Sequence, residues 1–251
     1  MPLDINGTKI TSSTSAYFGY KDTITNGLIT SLDASAYESY PGSGTVWYDL
    51  SGNGRNGTLN NSPSFTTTGG GALSFNGTNQ YVTLGNLGTI GNYQTIEVWF
   101  YSTSVTNYKN ICDMNYSTYN PNTGNVGPRF EQSSLSSLNS GWEWSSNTTS
   151  NSATGGSTTL YTLTANNWYY AVFSNYNGLV GTYLNNVLIS SNTGANGFIT
   201  TFSDVNLGRG FILDTSRYFS GYISIFKIYN RALTAAEINK NWNVQKQKYG
   251  L

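Results

Sequence analysis

The segment Thr95-Ile-Glu-Val-Trp-Phe-Tyr101 decides the fold class, because its large apolar side chains alternate with a period of two. In an extended strand, Ile96, Val98 and Phe100 fall on one face and Trp99 falls on the other. Both faces carry large side chains, so both need cover from other parts of the chain. A strand of this kind is typical of a sandwich in which two sheets pack together and loops cover part of the outer face.

Three further segments repeat this two-sided pattern: Trp168-Tyr-Tyr-Ala-Val-Phe173, Val180-Gly-Thr-Tyr-Leu184 and Tyr222-Ile-Ser-Ile-Phe-Lys-Ile-Tyr229. Between the second of them and the next apolar run lie only Asn185 and Asn186. Asparagine tolerates the positive φ of a two-residue hairpin turn, so this pair predicts a tight hairpin. Tight hairpins join antiparallel strands, and the sequence therefore predicts an antiparallel two-sheet sandwich.

One helix is well marked, and it lies near the C-terminus. Thr234-Ala-Ala-Glu237 has the form of a capping box, in which the Thr234 hydroxyl and the Glu237 carboxylate each accept a hydrogen bond from a backbone N–H. Ile238 and Trp242 follow one turn apart and predict a helix face that packs on the sandwich. The pattern predicts a short helix over about residues 234–246.

The composition agrees with an all-β protein made of strands and loops. Hydrophobic residues make up 37% of the chain and charged residues only 10%, against a usual charged share of about 25%. Twelve basic residues balance twelve acidic ones, so the chain lacks the positive field that nucleic-acid binding requires. The sequence shows no signal peptide and no run of about 18 apolar residues, which predicts no membrane insertion. Cys112 has no partner for an intrachain disulfide, as expected for synthesis in a reducing cytoplasm.

The chain divides into a short N-terminal part and one domain. Residues 1–26 are polar and end at Asn26-Gly27, a strong turn signal. We interpret them as an arm, which is either a disordered terminus or a segment that orders against a partner. No linker follows, because the later Gly-rich and Ser-rich stretches separate strand-like runs as loops do. Residues 27–251 are therefore predicted to form a single domain.

Four motifs, in order along the chain, resemble the laminin-G-like branch of the concanavalin A-like lectin superfamily. Leu73-Ser-Phe-Asn-Gly-Thr-Asn-Gln-Tyr-Val-Thr-Leu84 looks like its early hairpin, and residues 95–100 look like its tryptophan-bearing strand. Residues 168–188 are similar to its Trp-led strand and short hairpin, and residues 219–238 to its closing strand and helix. The resemblance spans about residues 28–247 and implies a concanavalin A-like jelly roll.

A narrower resemblance concerns Leu32-Asp-Ala-Ser-Ala-Tyr37, Trp47-Tyr-Asp-Leu-Ser-Gly-Asn-Gly-Arg-Asn-Gly-Thr-Leu59 and residues 243–251. Together they look like laminin-G-like domains in structural proteins of tailed phages, including phages of marine cyanobacteria. The resemblance implies a component of the virion surface that is made in the host cytoplasm. Its partners would be other capsid or tail proteins and copies of itself.

The sequence predicts no enzymatic activity. Retaining glycosidases of this fold resemble one another in a Glu-x-Asp-x-x-Glu strand, because acid and nucleophile must stand about 5 Å apart. The twelve acids of this chain have no such spacing, and only Glu143 lies between two tryptophans. The chain contains no histidine, which excludes Ser-His-Asp and Cys-His nucleophiles and histidine-ligated zinc.

Calcium is the one cofactor that the resemblance implies, because many relatives hold the ion with loop carboxylates and carbonyls. The sequence departs from that pattern, since Asn79 and Gln80 stand where relatives often carry acids. The remaining candidate ligands are Asp49, Asp113, Asp204 and Asp214. In the alternative interpretation these aspartates cap turns and bind no metal.

Glycan binding is the function that this fold most often serves, and it needs aromatic platforms beside amide and hydroxyl groups. Trp142 and Trp144 would face the same side of a strand and offer a stacking surface. A second group of candidates comes from one loop: Tyr116, Tyr119, Asn115 and Asn120. In the alternative interpretation the two tryptophans belong to the core of the sandwich or to an interface.

Three functions are compatible with this sequence. The first is a virion structural protein, on a phage capsid or tail, whose lectin-like sandwich binds glycans on a host surface. The second is a capsid decoration or cement protein that binds neighbouring shell subunits and no ligand. The third is a depolymerase that cleaves a host polysaccharide. Composition does not separate the first two.

Overall fold

The computed structural model describes residues 22–105, 109–115, 128–136, 139–143, 163–193, 201–210 and 217–251. Within these ranges the chain forms an eight-stranded and a seven-stranded antiparallel sheet around a shared hydrophobic core. A single α-helix follows the last strand of this part of the chain. The predicted all-β sandwich with a short C-terminal helix is confirmed.

The strands are numbered in chain order. The eight-stranded sheet contains β1 (Leu28–Asp33), β4 (Ser64–Thr66), β5 (Ala72–Asn76), β8 (Tyr93–Ser102), β12 (Asn167–Tyr176), β13 (Leu179–Leu184), β14 (Val187–Thr193) and β17 (Ser220–Tyr229). The seven-stranded sheet contains β2 (Val46–Trp47), β3 (Gly57–Asn60), β6 (Tyr81–Gly85), β9 (Lys109–Asn115), β10 (Arg129–Ser136), β11 (Asn139–Glu143) and β16 (Asp204–Leu207). A two-stranded ribbon pairs β7 (Gly88–Thr89) with β15 (Thr201–Phe202), and short 3₁₀ turns occupy Thr68–Gly70 and Lys246–Tyr249.

The order of the strands places β8 and β17 at the centre of the eight-stranded sheet. That sheet runs β14-β13-β12-β8-β17-β5-β4, and the other runs β11-β10-β9-β16-β6-β3-β2. One edge of β17 serves two partners, since Ser220 to Ile223 pair with β5 and the residues from Ile225 onward pair with β1. The predicted hairpin turn is also confirmed, because Asn185 and Asn186 have φ of 48° and 67° and join β13 to β14.

The inner faces of both sheets build the core. Val98 and Phe100 of β8 meet Val205 and Leu207 of β16 in one cluster of buried apolar side chains. Cys112 is part of the same cluster, and burial raises the pKa of its thiol. The thiol is therefore a small buried hydrophobe.

The outer face of the eight-stranded sheet is covered by helix α1 (Ala235–Gln245) and the 3₁₀ turn that follows it. Trp99 is fully buried there and stacks on Tyr249 with ring centroids 4.0 Å apart. Its indole Nε1 donates a hydrogen bond of 2.6 Å to Oε1 of Gln245. Trp242 also stacks on Trp99, with ring centroids 5.3 Å apart, and is half-buried. The helix thus covers an outer sheet face that the sequence pattern predicted to be covered partly by loops.

The start of α1 is fixed by the predicted capping box. The Thr234 hydroxyl accepts from the Glu237 backbone N–H, and the Glu237 carboxylate accepts from the Thr234 N–H. Arg231 donates to both oxygens of Glu237, at 2.8 and 2.6 Å. This hydrogen-bonded guanidinium lowers the pKa of Glu237 to about 2.

A buried polar cluster lies between α1 and the sheet. The Glu97 carboxylate accepts from the Tyr170 hydroxyl at 2.7 Å and from the Asn241 amide at 2.9 and 3.1 Å. Lys227 is the cross-strand neighbour of Glu97 and is also buried. Loss of hydration raises the pKa of Glu97 and lowers the pKa of Lys227, and their mutual attraction partly offsets both shifts.

Part of the predicted arm lies on this cluster. The Lys227 Nζ donates to the Thr23 hydroxyl at 2.8 Å, and the Ile24 N–H donates to the Asn241 side-chain oxygen at 2.8 Å. Arg231 Nε donates to the Asn26 carbonyl. Residues 22–26 are therefore packed on the sandwich, while residues 1–21 of the arm lie outside the described ranges.

In the described segments, no helix has the length and apolar character that crossing a bilayer would need.

Candidate functional site

The outer face of the seven-stranded sheet carries a group of polar and charged side chains, several of which are buried. In β16, Val205 and Leu207 point into the core, so Asp204 and Asn206 fall on the outer face. The neighbouring strands and loops add more polar groups. We call this set the polar face: Tyr81, Asn110, Asp113, Glu131, Asp204, Asn206, Arg209, Arg217 and Tyr218.

Arg209 is the centre of one half of the polar face. Its guanidinium lies 3.9 Å from the centroid of the Tyr81 ring, a cation–π contact. Its Nε donates to the side-chain oxygen of Asn206 at 3.2 Å, and its Nη2 is 3.9 Å from the Asp204 carboxylate. Tyr218 lies beside Tyr81, with ring centroids 6.4 Å apart. Within the described chain, neither Nη atom of Arg209 donates a hydrogen bond, and 12% of the Arg209 side chain is exposed.

Arg217 is the centre of the other half. Its Nη1 donates to the carboxylate of Glu131, which is fully buried. Beside this ion pair, the Asn110 amide donates to Asp113 at 3.3 Å, and both of these side chains are buried as well. The carboxylates of Asp113 and Glu131 are thus buried. The side chain of Arg209 is 12% exposed and that of Arg217 is 21% exposed.

Local backbone irregularities bring these side chains together. A bulge in β9 puts both Ile111 and Cys112 in the core and turns Asn110 outward. After β16, Gly208 adopts a left-handed φ of 82°, and a Cβ there would come within 2.6 Å of Phe75. This turn returns the chain over the sheet, which places Arg209 above Tyr81.

The predicted calcium ligands are only partly brought together. Asp113 and Asp204 lie on the adjacent strands β9 and β16, where Asp113 pairs with Asn206. Asp49 follows β2, three strands from β16 and four from β9, a separation of about 14–19 Å at 4.8 Å per strand. Asp214 lies outside the described residues. Among the residues that the structure describes, no three acids or cysteines cluster as metal ligands do.

Asp49 caps its own loop. Its carboxylate accepts from the N–H groups of Ser31 at 2.8 Å, Ser51 at 2.9 Å and Arg55 at 3.0 Å. It also accepts from the Ser51 hydroxyl at 2.7 Å. These bonds match the turn-capping interpretation of this aspartate.

The predicted glycan-binding residues fall mostly outside the described ranges. This holds for Tyr116, Tyr119, Asn120 and Trp144. Asn115 ends β9 and its backbone pairs with Asp204, which places it next to the polar face. Trp142 lies in the edge strand β11, and its backbone pairs with Gln132. Their role in glycan binding stays a prediction.

Four members of the polar face were not predicted as site residues from the sequence: Tyr81, Tyr218, Arg209 and Arg217. One signal was available: Asp204-Val-Asn-Leu alternates polar and apolar residues and runs into Gly-Arg-Gly, which indicates a strand with a polar outer face and a tight turn. The partner ring of Arg209 comes from a strand more than a hundred residues earlier. No local pattern in the sequence encodes that contact.

The family model of the concanavalin A-like lectin/glucanases superfamily, Laminin_G_3, matches residues 76–239. The chain belongs to this family. The match includes most strands of the sandwich and all members of the polar face. The predicted laminin-G-like family is thereby confirmed. The match does not test the narrower resemblance to phage structural proteins, which stays a prediction.

Solved structures of other members of this fold agree at low sequence identity. Domain 4 of AbnA, an extracellular GH43 arabinanase from Geobacillus stearothermophilus in complex with arabinotriose, superposes with a TM-score of 0.63 at 18% identity, over 87% of this chain and 98% of that one. Trypanosoma rangeli sialidase in complex with sialic acid gives 0.62 at 14%, over 98% of this chain and 36% of that one. The receptor-binding domain of a botulinum neurotoxin C/D mosaic gives 0.60 at 15%, over 88% of this chain and 52% of that one.

These likenesses show the fold alone. This Laminin_G_3 chain spans nearly all of the arabinanase domain but about a third to a half of the sialidase and neurotoxin chains. The fold occurs both in enzymes that act on glycans and in binding domains, so it does not decide between the two. No curated protein matches the chain.

Proposed function

We propose that this chain is a non-enzymatic glycan-binding domain displayed on the surface of a bacteriophage particle, with the polar face as its glycan site. The observation that carries the binding part is Arg209, which is stacked on Tyr81 and hydrogen-bonded to Asn206, with 12% of its side chain exposed. Sugar rings bind to proteins through aromatic faces next to hydrogen-bond donors and acceptors. Arg209, Tyr81 and Tyr218 supply both kinds of group on one surface.

Relatives of the same fold support this proposal by analogy. One neighbour was solved with arabinotriose and another with sialic acid. For a third neighbour, botulinum neurotoxin type C, cell entry is dependent upon interaction with two ganglioside molecules. The analogy is with the ligand class only, because identities of 14–18% do not carry over individual contacts.

Substitution on the polar face should abolish most glycan binding. On a glycan array, we expect Arg209→Ala and Tyr81→Ala each to weaken binding about tenfold or more, because each removes half of the stacked pair. Tyr37→Ala is the matched control, since Tyr37 is 67% exposed and lies elsewhere. Trp142→Ala tests the residue favoured by the sequence. If wild-type protein binds no glycan, or if Arg209→Ala binds as wild type does, the polar face is not the site.

A depolymerase is the second candidate, because Glu131 and Glu143 are directly paired across β10 and β11. Cβ atoms at opposed positions of adjacent antiparallel strands are about 4.5–5.5 Å apart, and the two carboxyl groups of retaining glycosidases are about 5–5.5 Å apart. Against this, the Glu131 carboxylate is fully buried and bonded to Arg217. Release of reducing ends from a glycan that binds on the array, lost in Glu131→Gln, would favour the enzyme.

The virion part of the proposal is supported by the resemblance of residues 47–59 and 243–251 to phage structural proteins. We expect deletion of residues 2–21 to remove the protein from purified particles while the sandwich remains folded, because Thr23 and Ile24 and their contacts are retained. Cryo-electron microscopy of the particles and circular dichroism of the truncated protein measure the two effects. A truncated protein that still decorates particles fully would contradict a role of the arm in attachment.

The same particles separate adhesion from cementing. If the chain is a receptor-binding protein, Arg209→Ala should reduce adsorption to host cells and leave the heat stability of the particle unchanged. If it is a cement protein, removing it should destabilise the particle, and Arg209→Ala should leave adsorption unchanged.

A further inference from the structure

A second recess lies away from the polar face, where the edges of the two sheets meet. It has a volume of about 450 Å³ and opens between the loop of residues 41–45 and the segment that connects β3 to β4. That connection carries the chain from the seven-stranded to the eight-stranded sheet. We call this recess the edge groove. None of the residues that line it belongs to the polar face.

One wall of the edge groove is aromatic. Tyr40 and Phe65 line it, with ring centroids 6.0 Å apart. The Tyr40 hydroxyl donates to the Gly44 carbonyl at 3.1 Å, which fixes its ring, and burial raises the pKa of this phenol. Phe65 is half-buried and has part of its ring open to the groove. The aromatic wall is therefore rigid and uncharged.

The residues that line the rest of the edge groove include three serines with hydroxyl groups. Ser43, Ser62 and Ser64 line it. Within the described chain, none of these three hydroxyls makes a hydrogen bond, so each is available as both donor and acceptor. None of the residues lining the groove is charged. The surroundings therefore favour a neutral ligand that has an apolar side and several hydroxyls.

The backbone at the mouth of the groove is strained, and polar side chains hold it in place. Asn61 and Ser62 both have a left-handed φ of 58°, although a residue before proline, such as Ser62, prefers extended backbone. The Gln80 amide donates to the carbonyls of both, at 3.1 and 2.7 Å, and the Asn61 amide donates to the Asn79 carbonyl at 2.7 Å. Strain that is held in this way is common at ligand sites.

We propose that the edge groove binds one unit of a neutral sugar, with its C–H face against Phe65 and its hydroxyls on Ser43 and Ser62. A pyranose or furanose ring suits this lining, because it has an apolar face and a rim of hydroxyls. A volume of about 450 Å³ lies in the range of small-ligand sites, roughly 300–1,000 Å³. This site is independent of the polar face and stands whether or not that face binds a glycan.

The test is a titration of the full chain with the methyl glycosides of glucose, galactose, mannose and arabinose, followed by amide chemical shifts in NMR spectra. We expect shifts at Gly42, Gly44 and Ser64 with at least one of these sugars. Methyl glucuronide, which is charged, should bind no better than its neutral counterpart. Shifts confined to Asn206 and Gly210 would show binding at the polar face alone and would overturn this inference.

Two variants of the groove and one control variant of the polar face test which site the sugar occupies. Ser62→Gly removes one hydroxyl and suits the left-handed backbone, so it should fold normally and bind the sugar about tenfold more weakly. Phe65→Ala should abolish the shifts, and Arg209→Ala should leave them unchanged. The inference fails if Ser62→Gly binds as wild type does. It also fails if none of the four neutral glycosides shifts the groove residues.

Discussion

Replacing Trp99 with alanine is expected to lower the free energy of unfolding by about 3–5 kcal/mol. The side chain is fully buried between the sheet and α1, and it stacks on Tyr170, Trp242 and Tyr249. Its removal leaves a cavity at the point where the helix is attached, and it leaves the Gln245 amide oxygen without its donor. Urea unfolding followed by far-ultraviolet circular dichroism measures the loss.

Two further alanine variants show whether the loss of stability is specific to Trp99. Trp242→Ala should cost less than Trp99→Ala, because Trp242 is only half-buried and lies under Lys246 at the surface. Tyr37→Ala should change stability by no more than about 0.5 kcal/mol, as exposed side chains do. A Trp99→Ala protein as stable as Tyr37→Ala would show that α1 does not depend on this stack.

The second large effect concerns the buried pair Glu97 and Lys227. Glu97→Gln should cost about 3–5 kcal/mol, because it removes the larger of the two acid attractions, from Glu97 and Asp33, that offset the burial of the Lys227 charge. The glutamine oxygen can still accept from the Tyr170 hydroxyl, but its NH2 group replaces one of the two oxygens that accept from Asn241, so the loss includes that hydrogen bond. Denaturant unfolding at neutral pH gives the free energies.

A double-mutant cycle with Lys227→Met isolates the interaction. The protein with both substitutions should be more stable than the sum of the two single losses implies, by about 1–3 kcal/mol. The control is Glu38→Gln, which changes an exposed acid. Additive losses in the cycle would mean that Glu97 and Lys227 are stabilised by other groups and not by each other.

The sequence was sufficient for the fold because the decisive signals are local. Alternation in residues 95–101, the pair Asn185 and Asn186, and the capping box at Thr234 each depend on neighbours in the chain. Each of them is found in the structure as predicted. The fold class follows from several such signals that agree with one another.

The candidate site was harder to predict because its contacts are between distant segments. Asp113 and Asp204 were singled out as acids, and both lie on the polar face, yet their partners came from elsewhere. Arg209 meets Tyr81 across the sheet only because Gly208 turns the chain back. Asn110 faces outward only because a bulge shifts the register of β9. Neither a turn direction nor a bulge changes the pattern of residue types enough to be read in advance.

The place of β17 bears on how this polypeptide is synthesised. It joins β8, β5 and β1 into one sheet, yet it follows all of them in the chain, and the bond between Ile24 and Tyr229 spans 205 residues. During translation the early strands therefore leave the ribosome long before their shared neighbour exists. Their edges stay open to other nascent chains for that interval, which is when aggregation is fastest. Chaperones that shield unpaired edges matter most for this protein before its last strand emerges.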